Sequence, residues 1–231
     1  MAFTAADVKK LREMTSVGMM DCKKALTEAD GDFDKAIELL REKGLAKAAK
    51  KADRIAAEGL VKATVCDECG VGAIIEVNSE TDFVAKNADF QQFVSDVANV
   101  VIKDAPADVE ALKACKMGEG TVQDALQEKV LTIGENLQIR RFERFDNSTV
   151  NVAYNHMGGV IGVLVGLEVS EGLKDNAAVK ELGKDIGMQA AAMNPSFLDK
   201  SDVDEATLAK EKEILLIQAL EENKTAAKPK P

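Results

Sequence analysis

Cys66-Asp67-Glu68-Cys69 is the densest group of reactive side chains in this sequence, and a C-x-x-C pair can hold a soft metal or cycle as a redox disulfide. A structural zinc asks for a full tetrahedral set, and Cys22, Cys115 and the lone His156 offer no matching spacing. No helix start is expected after the pair to depress a thiol pKa, so an incidental turn is the competing reading. A phosphate-cradling G-x-x-x-x-G-K-[ST] loop is missing, as is a G-x-G-x-x-G that opens a helix after a strand. With one His, no G-x-S-x-G elbow and no H-E-x-x-H, the usual nucleophile and general-base arrangements are also missing. Forty acidic residues always supply some carboxylate pair, which makes that signal unspecific. The expectation is a protein that is not an enzyme and has no cofactor, no metal and no nucleotide of its own.

Two places suggest binding instead. On a wheel of about 100° per residue, Met20 falls far from the face shared by Met19, Cys22, Leu26 and Ala29. Burying that face leaves Met20 exposed beside Lys23 and Lys24, where a flexible thioether suits a partner surface, although single exposed hydrophobes are also commonplace. The second place is Ser79-Glu80-Thr81-Asp82-Phe83-Val84-Ala85-Lys86-Asn87, where the chain leaves a strand. Phe83 precedes Phe90 by seven residues, so a continuous helix places it in the core stripe. A fresh cap at Asn87-Ala88-Asp89 would interrupt that helix and free Phe83, but the periodicity favours the core.

The elements that carry these residues read as helix-rich α+β. Thr4 with Asp7 caps a first helix bearing Val8, Leu11 and Met14, which should stop near Thr15-Ser16-Val17-Gly18. A second runs from about Met19 to Ala29. Asp30-Gly31-Asp32 then opens a third, with Phe33, Ile37 and Leu40 inward and Gly44 as a left-handed terminus. The segment Arg41 to Arg54 is a basic linker helix, or else a patch for an anionic partner. Alternation follows in Leu60–Val65 and Gly72–Val77, joined by a turn at Asp67-Glu68 and Gly70.

Helical spacing returns with Phe90, Phe93, Val94, Val97 and Val101, and again in a helix capped by Thr121 and Asp124. A strand at Leu137–Phe142 precedes a second hairpin, Thr149–Tyr154 and Val160–Leu167, turning at Gly158-Gly159 and feeding a helix from about Asn176 to Met193. The hairpin-then-helix order occurs twice. Glu76-Val77-Asn78-Ser79-Glu80 is echoed faintly by Glu168-Val169-Ser170-Glu171, which points to two related α+β subdomains. Ser201 with Asp204 caps a last helix striped by Leu208, Ile214, Leu215, Ile217 and Leu220, before a flexible tail at Thr225–Pro231.

Composition sets the outer limits. At 231 residues there is room for one large domain or two to three small ones. The hydrophobic fraction is 46% but aromatics are 4%, so burial rests on Ala, Val, Leu, Ile and Met. A net charge of −10 repels a phosphate backbone and disfavours direct nucleic-acid binding. No run of apolar residues is long enough to span a bilayer, and four scattered cysteines suit a reducing cytoplasm, so neither membrane nor secretion is expected.

Three stretches carry a family resemblance. Leu11 to Leu26, Glu76 to Asn87 and Tyr154 to Leu164 resemble, in order, the N-terminal motif, the second motif and the second-subdomain hairpin of elongation factor Ts. The resemblance implies a ubiquitin-associated-like three-helix bundle with linker over 1–54 and a core subdomain over 55–145. A second, incomplete subdomain over 146–195 and the first limb of a helical arm with its tail over 196–231 complete it. It further implies guanine-nucleotide exchange on elongation factor Tu in the cytoplasm. Arg12, Met19 and Met20 then touch that partner's nucleotide domain, and Thr81, Asp82, Phe83 and Val84 form a wedge beside its magnesium site. The hairpin at His156, Gly158 and Gly159 holds another domain of the partner, and self-association through the arm stays open. The family continues through a second limb of the arm, so the stripe from Leu208 to Leu220 is expected to lack a partner here. The alternative is an adaptor whose bundle recruits a helical or ubiquitin-like partner, with Met19 and Met20 essential and Asp82 and Phe83 idle.

Overall fold

Thr4 and Asp7 cap each other's backbone N–H groups, Thr4 N donating to Asp7 Oδ2 at 2.8 Å and Asp7 N to Thr4 Oγ1 at 3.3 Å. The reciprocal cap opens helix α1 (Ala5–Thr15), the first element of a computed structural model that describes residues 3–15, 17–51 and 53–225, the side chains of 45–50 and 225 excepted. Helix α2 (Met19–Glu28) and helix α3 (Phe33–Lys51) complete a bundle around Val8, Leu11, Val17, Cys22, Ala25, Leu26, Ala36 and Leu40. Between them Asp30 and Gly31 take positive φ, and Gly31 N donates to Leu26 O at 2.9 Å, which closes the end of α2.

Three expectations fail in this bundle. Met14 is exposed rather than inward, and Val17 from the next loop fills the core there. Met19 is also exposed, the buried face of α2 beginning at Cys22. Gly44 does not end α3, which continues as helix to Lys51. A Cβ on Gly44 would lie 3.2 Å from Leu131 Cδ2, so this glycine marks where two helices touch, and that packing outweighs the local preference for a terminus. Most side chains of the expected basic segment, together with Ser16 and the last six residues of the expected tail, lie outside the described residues.

Strands β1 (Glu58–Val65) and β2 (Gly72–Ser79) pair antiparallel through the expected turn, where Gly70 has φ +72° and donates its N–H to Cys66 O at 2.9 Å. After β2 come α4 (Asp82–Ala85), α5 (Ala88–Asp104), α6 (Val109–Ala114), the short ribbon of β3 (Lys116–Met117) and β4 (Gly120–Thr121), α7 (Val122–Ile133) and β5 (Gln138–Phe145). Neither the ribbon nor α6 carries a periodic signal in the sequence. Strand β5 pairs on the other side of β2, giving the order β1-β2-β5.

All the α5 residues read as a stripe are buried, and Ile75, Val77, Leu112, Val122, Leu126 and Ile139 close the core around them. A register shift between Glu76 and Val77 slips an extra residue, Arg140, into β5. Arg140 and Arg141 consequently both reach Glu76, at 3.6 and 2.7 Å.

The second hairpin, β6 (Val150–His156) and β7 (Ile161–Leu167), forms its own ribbon and is tied to β1. Asn155 donates Nδ2 to Ala63 O at 2.9 Å and accepts from Ala63 N at 2.8 Å, so one side-chain amide imitates a strand pairing. Helix α8 (Ala177–Met193) lies on this hairpin, and the glycines that make the contact, Gly183 and Gly187, leave no room for a Cβ against Val152 and Tyr154. Residues Met1–Ala192 form one compact unit and Met193–Pro231 another.

The second unit holds helix α9 (Glu205–Thr225). Its cap is Asp204, which accepts from Thr207 N at 2.7 Å, while Ser201 belongs to the preceding helical turn and donates to Asp199. The apolar stripe is broader than its spacing predicts. Ile214-Leu215-Leu216-Ile217 are four consecutive exposed residues, which at about 100° each spread around most of the circumference. The described residues thus form a mixture of helix and antiparallel strand, an α+β fold.

Candidate functional site

The tip after β2 is built by a break between helices. Asn87 accepts from Asp89 N at 2.8 Å and Phe90 N at 3.3 Å, so α5 begins afresh there. The four residues of α4 therefore form a separate turn instead of extending the α5 stripe. Gln91 Nε2 ties that turn back by donating to Ala85 O at 3.0 Å. Val84 points inward and is buried, whereas Phe83 is 78% exposed. Periodicity alone favours Phe83 in the core; the cap overrides it by resetting the helix.

Upstream of Phe83 the backbone is clamped by a distant carboxylate. Glu135 Oε2 accepts from Glu80 N and Thr81 N, each at 3.0 Å, and Glu135 Oε1 accepts from Thr81 Oγ1 at 2.7 Å. Glu80 returns the contact, accepting from Asn136 N at 2.6 Å and from the Arg54 guanidinium at 3.4 Å. The Asn136 N–H, and after it the positive charge of Arg54, hold the Glu80 carboxyl below its usual range. Asp82 sits beside Phe83 and bonds Lys86 Nζ at 2.6 Å; that bond and the lysine charge lower its pKa.

The other expected contact residues lie on separate elements. Arg12 on α1 is exposed, and Met19 and Met20 open α2, Met20 being 63% exposed. Met14 adds an apolar side chain at the end of α1. At the second hairpin, His156 is exposed and its Nδ1 lies 2.9 Å from the Tyr154 hydroxyl, with the rings stacked. Gly158 is exposed at φ +70°, next to the exposed Met157. Gly159 turns inward: its carbonyl accepts from Val61 N at 2.8 Å, and a Cβ there would lie 2.1 Å from Leu60 Cδ1. It serves the docking of this hairpin on β1.

The thiol pair sits at the β1–β2 turn. Cys69 N donates to Cys66 Sγ at 3.3 Å. The Cys69 thiol, then the backbone amides of Cys69 and Glu68, lower the Cys66 pKa, a task expected to need a helix start. Among the described residues no three His, Cys, Asp or Glu side chains gather as a metal-holding group, and no helix is long and apolar enough to cross a membrane.

Residues 80–229, which begin at this tip, match the family model described as elongation factor TS. The chain is also similar to curated proteins named elongation factor Ts. That of Clostridium perfringens is 52% identical over 223 residues, covering 96% of this chain and 73% of the relative. The chain belongs to the elongation factor Ts family. The protein of that name from Syntrophotalea carbinolica is 51% identical over 227 residues, 97% of this chain and 74% of the relative. That from Clostridioides difficile is 50% identical over 224 residues, 96% and 73%. Family membership makes this an elongation factor of protein biosynthesis.

Motif reading misses Glu135 and Asn136. They follow α7 in a loop with no periodic pattern, and Glu135 lies 54 positions from the threonine it holds. The one local signal near them is Gly134, the left-handed end of α7 at φ +90°.

Proposed function

We propose that this chain promotes exchange of guanine nucleotide on elongation factor Tu by pressing the Asp82–Phe83 tip beside the partner's bound magnesium. The observation that carries the reading is Phe83, an aromatic ring 78% exposed on a turn whose neighbours Val84 and Thr81 are anchored. An exposed Phe gains about 1.5–3 kcal/mol on entering an apolar slot. Contacts elsewhere supply the remaining binding energy, through Arg12, Met19 and Met20 on the bundle and the His156 turn of the second hairpin.

Magnesium demands near-ideal octahedral geometry, so a small displacement of the partner's ligands removes the main counter-charge of the nucleotide phosphates. Binding energy is thereby converted into strain at the partner's metal. Reciprocity requires that nucleotide weaken the grip of this chain by the same factor, so incoming nucleotide releases it. The reading asks for no covalent chemistry, cofactor or nucleic-acid contact from this chain, and it belongs in the cytoplasm.

The test is the release of labelled GDP from elongation factor Tu, with and without this chain, repeated for Asp82→Ala and Phe83→Ala. Both variants should still bind the partner yet accelerate release far less. Variants as effective as the parent overturn the wedge. A loss of binding on changing Met19 and Met20, with Asp82 and Phe83 silent, supports an adaptor instead.

A further inference from the structure

We propose that Glu135 is a positioning residue that holds the Asp82–Phe83 tip rigid, so that force from the docking contacts reaches the ring instead of bending the loop. The functional consequence rests on the exchange reading; the positioning itself can be read in the free protein.

Both oxygens of this one carboxylate are occupied. Oε2 accepts from two successive backbone amides, Glu80 and Thr81, and Oε1 accepts from the Thr81 hydroxyl. The two amides lie just ahead of α4, a helix of only four residues whose opening Thr81 supplies no side-chain cap. Its hydroxyl is committed to Glu135 instead. The clamp is also reciprocal, because Glu80 reaches back to Asn136 N at 2.6 Å. Two adjacent residues on the tip thus bond two adjacent residues of the loop after α7.

That loop is fixed in turn. Gly134 ends α7, its carbonyl accepts from Lys51 Nζ at the end of α3, and Asn136 Nδ2 donates to Arg54 O at 2.8 Å. Asn136 is itself buried, as is Leu137, which sits in the core of the sheet. The tip is therefore braced against α7, β5 and the end of α3 rather than against its own loop. A loop held only by its neighbours in sequence yields under load, and misplacement of a reacting group by about 1 Å can cost about 100-fold in rate. Charge-assisted bonds to a single carboxylate are shorter and stronger than neutral ones, which suits a brace.

The experiment uses the full chain with elongation factor Tu loaded with a fluorescent GDP. Maximal release rate and the concentration giving half of it are measured for the parent, Phe83→Ala, Glu135→Ala, Glu135→Gln and Phe83→Ala/Glu135→Ala. Backbone amide exchange at Asp82 and Phe83 is measured in each free protein, together with the thermal midpoint.

For Glu135→Ala the maximal rate should fall between about 10- and 100-fold, with the half-maximal concentration nearly unchanged. Glu135→Gln, which keeps the shape but opposes one donor with another, should fall in between. The double variant should be no slower than Phe83→Ala alone, since both changes remove the same wedge. Thr81→Val, which deletes only the hydroxyl contact, provides a milder version if Glu135→Ala folds poorly.

A parental maximal rate in Glu135→Ala beside a slowed Phe83→Ala overturns the positioning role. If Phe83→Ala is itself parental, the exchange reading fails, and amide exchange decides the positioning. Faster exchange at Asp82 and Phe83 in the Glu135 variants supports it, and unchanged exchange overturns it.

Discussion

Gly44 and Leu131 meet where a helix of the N-terminal bundle crosses a helix of the core: a Cβ on Gly44 would stand 3.2 Å from Leu131 Cδ2 and 3.6 Å from its Cβ. The bundle is thereby seated on α7, the helix whose end carries Gly134 and Glu135.

At Gly44 two effects oppose each other. Alanine in mid-helix gains roughly 0.5–1 kcal/mol in backbone entropy, but its methyl must push Leu131 aside by a few tenths of an ångström. Leu131 is half-buried and can give, so Gly44→Ala should be close to neutral. Gly44→Val adds bulk that no small shift accommodates and should destabilise by about 1–3 kcal/mol in urea unfolding. A stable Gly44→Val would show that the two helices are free to separate.

Asn155 supplies both a donor and an acceptor to Ala63, which is buried. Asn155→Ala should cost about 1–3 kcal/mol, because it leaves a backbone N–H and C=O of β1 without partners. In a chemical-shift map the loss should concentrate on β1, β6 and β7 and spare the bundle. Asn155→Asp, which keeps the acceptor and removes the donor, should recover only part of the stability.

Phe83 and Phe90 stand seven positions apart, yet one is 78% exposed and the other fully buried. Phe83→Ala should leave the unfolding free energy within about 0.5 kcal/mol of the parent. Phe90→Ala should cost about 3–5 kcal/mol. Equal losses at the two positions would mean that Phe83 packs into the core after all.

Glu80 titrates below its usual value of 4.5, chiefly because Asn136 N donates to it and secondly because of Arg54. A depressed carboxyl pKa stabilises the fold above the unfolded value, and that contribution is lost as pH falls through the folded value. The contribution of the Glu80 carboxylate, through its bond from Asn136 N, should therefore be fully present at neutral pH and be lost only below pH 4.5. Carbon NMR of the Glu80 carboxyl measures this directly. Because the backbone donor is the larger cause, Arg54→Ala should leave the titration still depressed; a return to 4.5 would reverse that ranking.

Short-range features are legible in the order of residues alone. The Thr4–Asp7 and Thr121–Asp124 reciprocal caps, the α5 stripe and the glycine-bearing hairpin turns are set by residues within a few positions of one another. The family is legible too, since its motifs are continuous stretches. Ser201 misleads, because Asp199 and Asp204 are also good caps and the pattern does not rank three candidates so close together.

What the sequence determined alone was therefore everything that depends on period and near neighbours: helix-rich α+β composition, most element positions, the net charge of −10 and the motifs of the family. Tertiary structure decided the rest. Phe83 faces outward because Asn87 restarts the helix, and Thr81 is held because α7 delivers Glu135 from 54 positions away. Gly44 remains helical because Leu131 lies against it. The last two outcomes turn on contacts between residues far apart along the chain, whose partners become known only once the intervening elements have packed. At Phe83 the cap is local, but whether it or the helical period wins is settled by how α4 and α5 pack.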